Sequence, residues 1–226
     1  GLCEPVVGVV DGLVNQNSLA DVLNATRYSQ NGRGSFEYLG TNHIMARVVF
    51  KVSGQTPLEV ASDAFTAMGL VEGIDYTWDS FGGVQGSAFG FKCNARTLAK
   101  LGLVYLQQGL ASDDKRIVSA EWVAESTTNQ LKEGDKPLLG VTAPGYGYQW
   151  YVQENGYEAQ GIGGQFLSVY PEENVVVSIM TTVDAPLALV TSGVGAFFLL
   201  NRIKDALSEI DSECDCEAFL FGLGCK

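Results

Sequence analysis

The 226-residue sequence predicts an α+β (α/β-class) fold in which an antiparallel sheet is flanked by helices. Three observations predict it. Apolar residues recur at helical spacing in several segments between about residues 41 and 125, the period shifts to strand-like runs after Pro144, and a long apolar helix closes the chain from about Leu187 to Ile210. At 46% hydrophobic and 18% charged, the chain has enough apolar side chains to bury a core. No repeat or low-complexity linker divides it. It reads as one structural unit, with a mostly helical part over residues 1–140 and a sheet part over 141–226.

The first thirty-odd residues are mixed, with turns at Asp11-Gly12 and Asn31-Gly32-Arg33-Gly34 and a short helix expected over 18–25. Thr41 is the expected N-cap of the first strong helix. Ile44, Val48, Val49 and Val52 form its apolar stripe, and Gly54 ends it. Tyr38, in Phe36-Glu37-Tyr38-Leu39-Gly40-Thr41-Asn42, therefore sits just before a helix. Thr56 or Pro57 opens a second helical segment toward Met68-Gly69-Leu70, and residues 77–90 read as a Gly-rich, aromatic-containing loop. Asn94 caps a third helix whose Leu98, Leu101, Tyr105 and Leu106 share one face and which stops at Gln108-Gly109. Ser119 caps a fourth helix through Trp122 and Val123.

Three strands are expected next: Tyr146 to Val152, Gln165 to Tyr170, and Asn174 to Thr182, the last two joined by the turn Pro171-Glu172-Glu173-Asn174. They form an antiparallel meander. The final helix offers too much apolar surface for solvent and must lie on the sheet.

Charge narrows the partners. The 14 Lys and Arg against 26 Asp and Glu give a net charge of −12 without a basic run, which excludes nucleic acid as a partner. The longest apolar stretch, residues 185–200, is interrupted by Thr191, Ser192, Gly193 and Gly195 and falls short of the ~20 residues a bilayer span needs, so the chain is not expected to be transmembrane. The opening Gly1-Leu2-Cys3-Glu4-Pro5 lacks Met and the regions of a signal peptide, and a processed product is expected.

Cys3, Cys93, Cys214, Cys216 and Cys225 are disulfide candidates, which fits secretion or another oxidising compartment. Their odd number leaves at least one thiol free or paired with another chain. A zinc site is the competing reading, but Cys-x-Cys lacks the paired Cys-x-x-Cys spacing, and the single histidine, His43, is remote. Asn24-Ala25-Thr26 is a glycosylation sequon, making Asn24 a candidate acceptor. There is no Walker loop, and Gly161-Ile162-Gly163-Gly164 precedes a strand and not a helix, so no nucleotide cofactor is expected.

Seven motifs in order carry a family resemblance. They are Phe36-x-Tyr38, Val52-Ser53-Gly54-Gln55-Thr56, residues 94–102 with Tyr105 to Gly109, Trp122-Val123, Tyr146-Gly147-Tyr148-Gln149-Trp150, Gly161-Ile162-Gly163-Gly164-Gln165, and Pro171 to Val177. From about residue 34 to 204 the chain resembles the β-lactamase-related serine hydrolases, with their β-lactamase/transpeptidase-like fold. That branch holds class C β-lactamases, penicillin-binding-protein-like peptidases, esterases and 6-aminohexanoate-dimer hydrolases, and the Gly-Gly-Gln segment is most similar to the last of these.

The resemblance implies a mechanism: a serine at a helix N-terminus attacks an acyl carbonyl, a lysine one turn later shares its proton network with a tyrosine, and water hydrolyses the acyl-enzyme. Tyr38 matches that tyrosine. Ile162 matches the first residue of the substrate strand, Gly163 and Gly164 let a substrate approach, and the backbone N–H of Gln165 matches the oxyanion donor. Gly40 stands where relatives carry Asn or Ser, and Ile162 where they carry Lys, His or Trp.

The Ser-x-x-Lys of the nucleophile matches only at Ser112-Asp113-Asp114-Lys115, a polar loop whose aspartates would raise the lysine's pKa. Two readings follow. The chain is the C-terminal portion of a hydrolase acting on a small amide, ester or lactam, with its nucleophile on another segment, or it is a non-catalytic binding or structural subunit. The family sheet takes its first strands from the N-terminal segment. The resemblance therefore implies an incomplete sheet, an open edge and a partner chain or retained N-terminal fragment against the sheet and final helix.

Overall fold

A computed structural model describes residues 36, 42–87, 90–111, 115–132, 135, 145–161, 164–181 and 188–208. Contacts divide the chain into two compact units, Gly1–Cys93 with Lys132–Gly140, and Asn94–Leu131 with Val141–Lys226.

In the first unit, helix α1 (Asn42–Ser53) is followed by α2 (Pro57–Ala67). Gly54 takes φ +73° at the end of α1, the left-handed conformation that stops a helix. Thr56 and Glu59 form a reciprocal capping box at the start of α2: Thr56 Oγ1 accepts the Glu59 N–H at 3.3 Å, and Glu59 Oε2 accepts the Thr56 N–H at 2.7 Å. The stripe expected on α1 is only partly covered. Ala46 is the buried position, and Val52 is 82% exposed.

The segment expected as loop over 77–90, with the residues flanking it, forms two small antiparallel pairs. Strand β1 (Tyr76–Trp78) pairs with β4 (Phe91–Cys93), and β2 (Ser80–Phe81) with β3 (Val84–Gln85). Strands of two or three residues are too short for alternation to show in a sequence. An aromatic cluster holds them: Phe65 of α2 lies 4.6 Å from Tyr76 between ring centroids, and Tyr76 lies 5.6 Å from Phe91.

The second unit contains α3 (Ala95–Leu106), α4 (Ala120–Ser126), a sheet and α5 (Ala188–Ser208). Asn94 and Ser119 cap α3 and α4 as expected, accepting the N–H groups of Thr97 and Trp122 at 2.9 and 3.0 Å.

The sheet has five strands where the sequence predicts three. In spatial order they are β5 (Gly145–Tyr146), β6 (Tyr151–Val152), β7 (Tyr157–Gly161), β8 (Gln165–Tyr170) and β9 (Val175–Ile179), all antiparallel. The single strand expected over 146–152 is broken by Gln149 at φ +71°, and Gly147 N–H donates to Trp150 O at 2.8 Å across the turn. Strand β7 escapes a hydropathy reading because its sequence, Tyr-Glu-Ala-Gln-Gly, puts polar side chains where a strand usually presents apolar ones.

Each face of the sheet carries a helix. Leu98, Leu101, Tyr105 and Leu106 of α3 pack on Trp150, Tyr157, Leu167 and Val169. A Cβ on Gly102 would come within 2.6 Å of Val176 Cγ1 and 2.8 Å of Leu167 Cδ1, so this mid-helix glycine lets α3 seat directly on β8 and β9. That contact offsets the ~1 kcal/mol a glycine costs inside a helix. On the opposite face Ala196 and Leu200 of α5 pack on Phe166, with Val177 and Ile179 beside them. Phe166 and Leu167, adjacent on β8, supply one side chain to each core.

The α5 face also carries a buried carboxylate. Glu158, 1% exposed, forms an ion pair with Lys204 Nζ at 2.9 Å. It also accepts hydrogen bonds from Gln153 Nε2 at 2.9 Å, Gln160 Nε2 at 2.6 Å and Ser168 Oγ at 3.3 Å. Four donors satisfy a charge that the interior would otherwise penalise.

On the α3 face the Tyr157 hydroxyl is buried with no hydrogen-bond partner among the described residues. Burial, then the neighbouring Tyr105, pushes its pKa from 10.0 up to about 12. An unfolded tyrosine ionises near pH ~10 while the folded one keeps its proton to pH ~12. Its contribution to stability is therefore full below pH ~10 and is lost as the pH rises through ~12. Thermal melts of Tyr157→Phe across this alkaline range are expected to fall less steeply with pH than those of the parent.

Candidate functional site

The described part of the Gly-rich segment, Gly161, Gly164 and Gln165, lies where β7 passes into β8. Gly161 ends β7 opposite Gln165, which begins β8, and Gly164 N–H donates to Gly161 O at 3.3 Å. Gly164 has φ +88°, so the three-residue connection closes on a left-handed position that glycine occupies without strain. Strand β8 has β7 on one side and β9 on the other, so the segment does not lie on a sheet edge.

Sequence reading gives Gln165 a role through its backbone alone, and the structure adds one for its side chain. Gln165 Nε2 donates to Thr181 O at 2.9 Å and lies 3.3 Å from Thr181 Oγ1, while Oε1 accepts the Thr181 N–H at 3.4 Å. The side-chain amide thereby mimics one more backbone pair beyond the end of β9. A glutamine opening a strand opposite a threonine that follows one is the only trace of this in the sequence.

Gly164 and Gln165 are thus held together at one end of β8. Tyr38, Ile162, Gly163, Gly40 and the sequon residue Asn24 lie outside the described residues, as do Cys3, Cys214, Cys216 and Cys225. Of the disulfide candidates Cys93 alone is described; it is a half-buried free thiol among the described residues, and burial pushes its pKa up. Among the described residues no three His, Cys, Asp or Glu side chains converge on a metal-sized site, and no helix is long and apolar enough to cross a membrane.

Ser112 itself lies outside the described residues, and those flanking it are bridged. Leu110 pairs antiparallel with Arg116, and Ala111 N–H donates to Lys115 O at 2.8 Å. The next helix, α4, begins only at Ala120.

A β-lactamase family model matches residues 6–193, most of the chain. The chain belongs to the β-lactamase family. It is 29% identical over 166 residues to the 6-aminohexanoate-dimer hydrolase of Paenarthrobacter ureafaciens, a match covering 68% of this chain and 41% of that enzyme. Its fold is similar to that of a putative 6-aminohexanoate-dimer hydrolase from Bacillus anthracis, with a TM-score of 0.56 and 18% identity over 84% of this chain and 50% of that one. The chain therefore spans half the length of these relatives or less.

Proposed function

We propose that these 226 residues are the tyrosine-and-strand portion of an acyl-transfer hydrolase for amides, esters or lactams, and that its serine and lysine come from polypeptide outside them. One observation carries the reading: the family match runs through residues 6–193 of a sequence whose sole Ser-x-x-Lys is at Ser112. The bridged backbone around Ser112 supports setting that match aside, because the reaction needs its serine at a helix N-terminus with the lysine one turn on. In this reading the Tyr38 phenol takes part in moving the serine proton, and the Gln165 N–H stabilises the oxyanion. The first substrate to try is the dimer of 6-aminohexanoate, on which the Paenarthrobacter relative acts by its name.

The missing polypeptide also has a proposed seat. Among the described residues β9 pairs on one side only, and α5 exposes Val194, Phe197 and Phe198. An unpaired strand beside an apolar helix face invites another chain segment.

Gly40 and Ile162 favour a second reading, a non-catalytic subunit. Each removes a polar side chain that would hold a substrate. Intact-mass analysis and N-terminal sequencing of native material separate the two readings. An accompanying segment bearing Ser-x-x-Lys supports the hydrolase, and an accompanying segment without one overturns it.

A further inference from the structure

Tyr170 lies at the end of β8 away from Gln165, roughly 17 Å along the strand. There the 153–155 loop, Tyr170, Glu173, Lys204 and Leu207 line an open cavity of about 310 Å³, wholly within the second unit. Two of its donors are committed, since Gln153 Nε2 and Lys204 Nζ both point to Glu158 at 2.9 Å, and the Asn155 amide belongs to an exposed residue.

Two acceptors are not committed. Tyr170 is only 4% exposed, and its hydroxyl and Glu173 Oε2 are buried without a hydrogen-bond partner among the described residues. Burial pushes the Tyr170 pKa well up. Ser168 pulls it the other way and the Glu158 and Glu173 carboxylates push it further up, but no hydrogen bond of sound geometry joins Ser168 to the phenol.

Charge and shape then select the ligand. Lys204 and Glu158 cancel, leaving Glu173 and Glu154 to make the cavity negative. A metal ion finds too few ligands, because no three acidic, His or Cys side chains converge among the described residues. An ammonium group brings several N–H donors and one positive charge to oxygen atoms that lack both. Leu207 and the Lys204 stem offer an alkyl tail something to lie against.

We propose that the cavity between the 153–155 loop, Tyr170, Glu173 and α5 binds the ammonium end of a small primary amine. The Glu173 carboxylate pairs with its charge, and the Tyr170 oxygen accepts one of its hydrogens.

The test titrates n-butylammonium into the native protein, with any chain that accompanies it, followed by NMR shifts. Tetramethylammonium, which has no N–H, and calcium serve as comparisons. Saturable binding of n-butylammonium is expected, with at least tenfold weaker binding of tetramethylammonium and at least tenfold weaker n-butylammonium binding in Glu173→Gln. Tyr170→Phe should bind several-fold more weakly without a lower melting temperature, because the hydroxyl it removes has no partner to lose. That variant keeps the test decisive should Glu173→Gln fold poorly. The proposal is overturned if no amine saturates, if the two variants bind as the parent does, or if calcium binds more tightly than the amine.

Discussion

Lys204→Met is expected to lower the unfolding free energy by ~3 kcal/mol, because it strips the counter-charge from a carboxylate that the sheet and α5 have enclosed. Glu158 is 1% exposed and Lys204 Nζ sits 2.9 Å from it. The cost falls toward the lower end for a broken buried pair, since Gln153, Gln160 and Ser168 still donate to the carboxylate. The double variant Glu158→Gln/Lys204→Met should recover most of the loss. A glutamine there keeps an oxygen for the two amides and gains an N–H for Ser168, and no lone charge remains. Urea titration of the two single variants and the double variant measures the coupling. A double variant as unstable as the sum of the singles would contradict this assignment.

Leu200→Ala is expected to cost ~2–5 kcal/mol, and to cost it by loosening α5 from the sheet. Leu200 has no exposed surface and meets Phe166 and Ala196, with Val177 and Ile179 alongside. Removing its branched end leaves a cavity that a helix pinned by the Lys204 pair cannot easily close. Phe198 is a control on the same helix. It is 65% exposed, so Phe198→Ser should change the stability of this chain alone by no more than ~0.5 kcal/mol. Chemical denaturation followed by circular dichroism resolves both.

Much of this scaffold is legible in the sequence, and what is not has identifiable causes. Asn94, Ser119 and the Thr56-Pro57 start are read correctly because capping is local, with the side chain and the N–H it serves three residues apart. The α3 stripe and the Pro171–Asn174 turn are equally local. Strand β7 is hidden because Glu158 and Gln160 face a buried network whose partner, Lys204, lies more than forty residues downstream in sequence. The break between β5 and β6 depends on a positive φ at Gln149, a residue type that does not announce one.

The candidate site divides along the same line. Gly164 and Gln165 are legible as a motif through the family resemblance, and the left-handed φ of Gly164 is seen only in the structure. The clamp from Gln165 to Thr181 depends on strand register, which no single-sequence spacing encodes.

The central proposal is that the nucleophile of this β-lactamase-family chain comes from polypeptide outside these 226 residues. Treating native material with a fluorophosphonate, which esterifies activated serines, and mapping the adduct by peptide mass spectrometry tests it most directly. The predicted result is an adduct on a serine of a companion Ser-x-x-Lys segment and none on these 226 residues. An adduct on Ser112, or on any other serine of this chain, would contradict it.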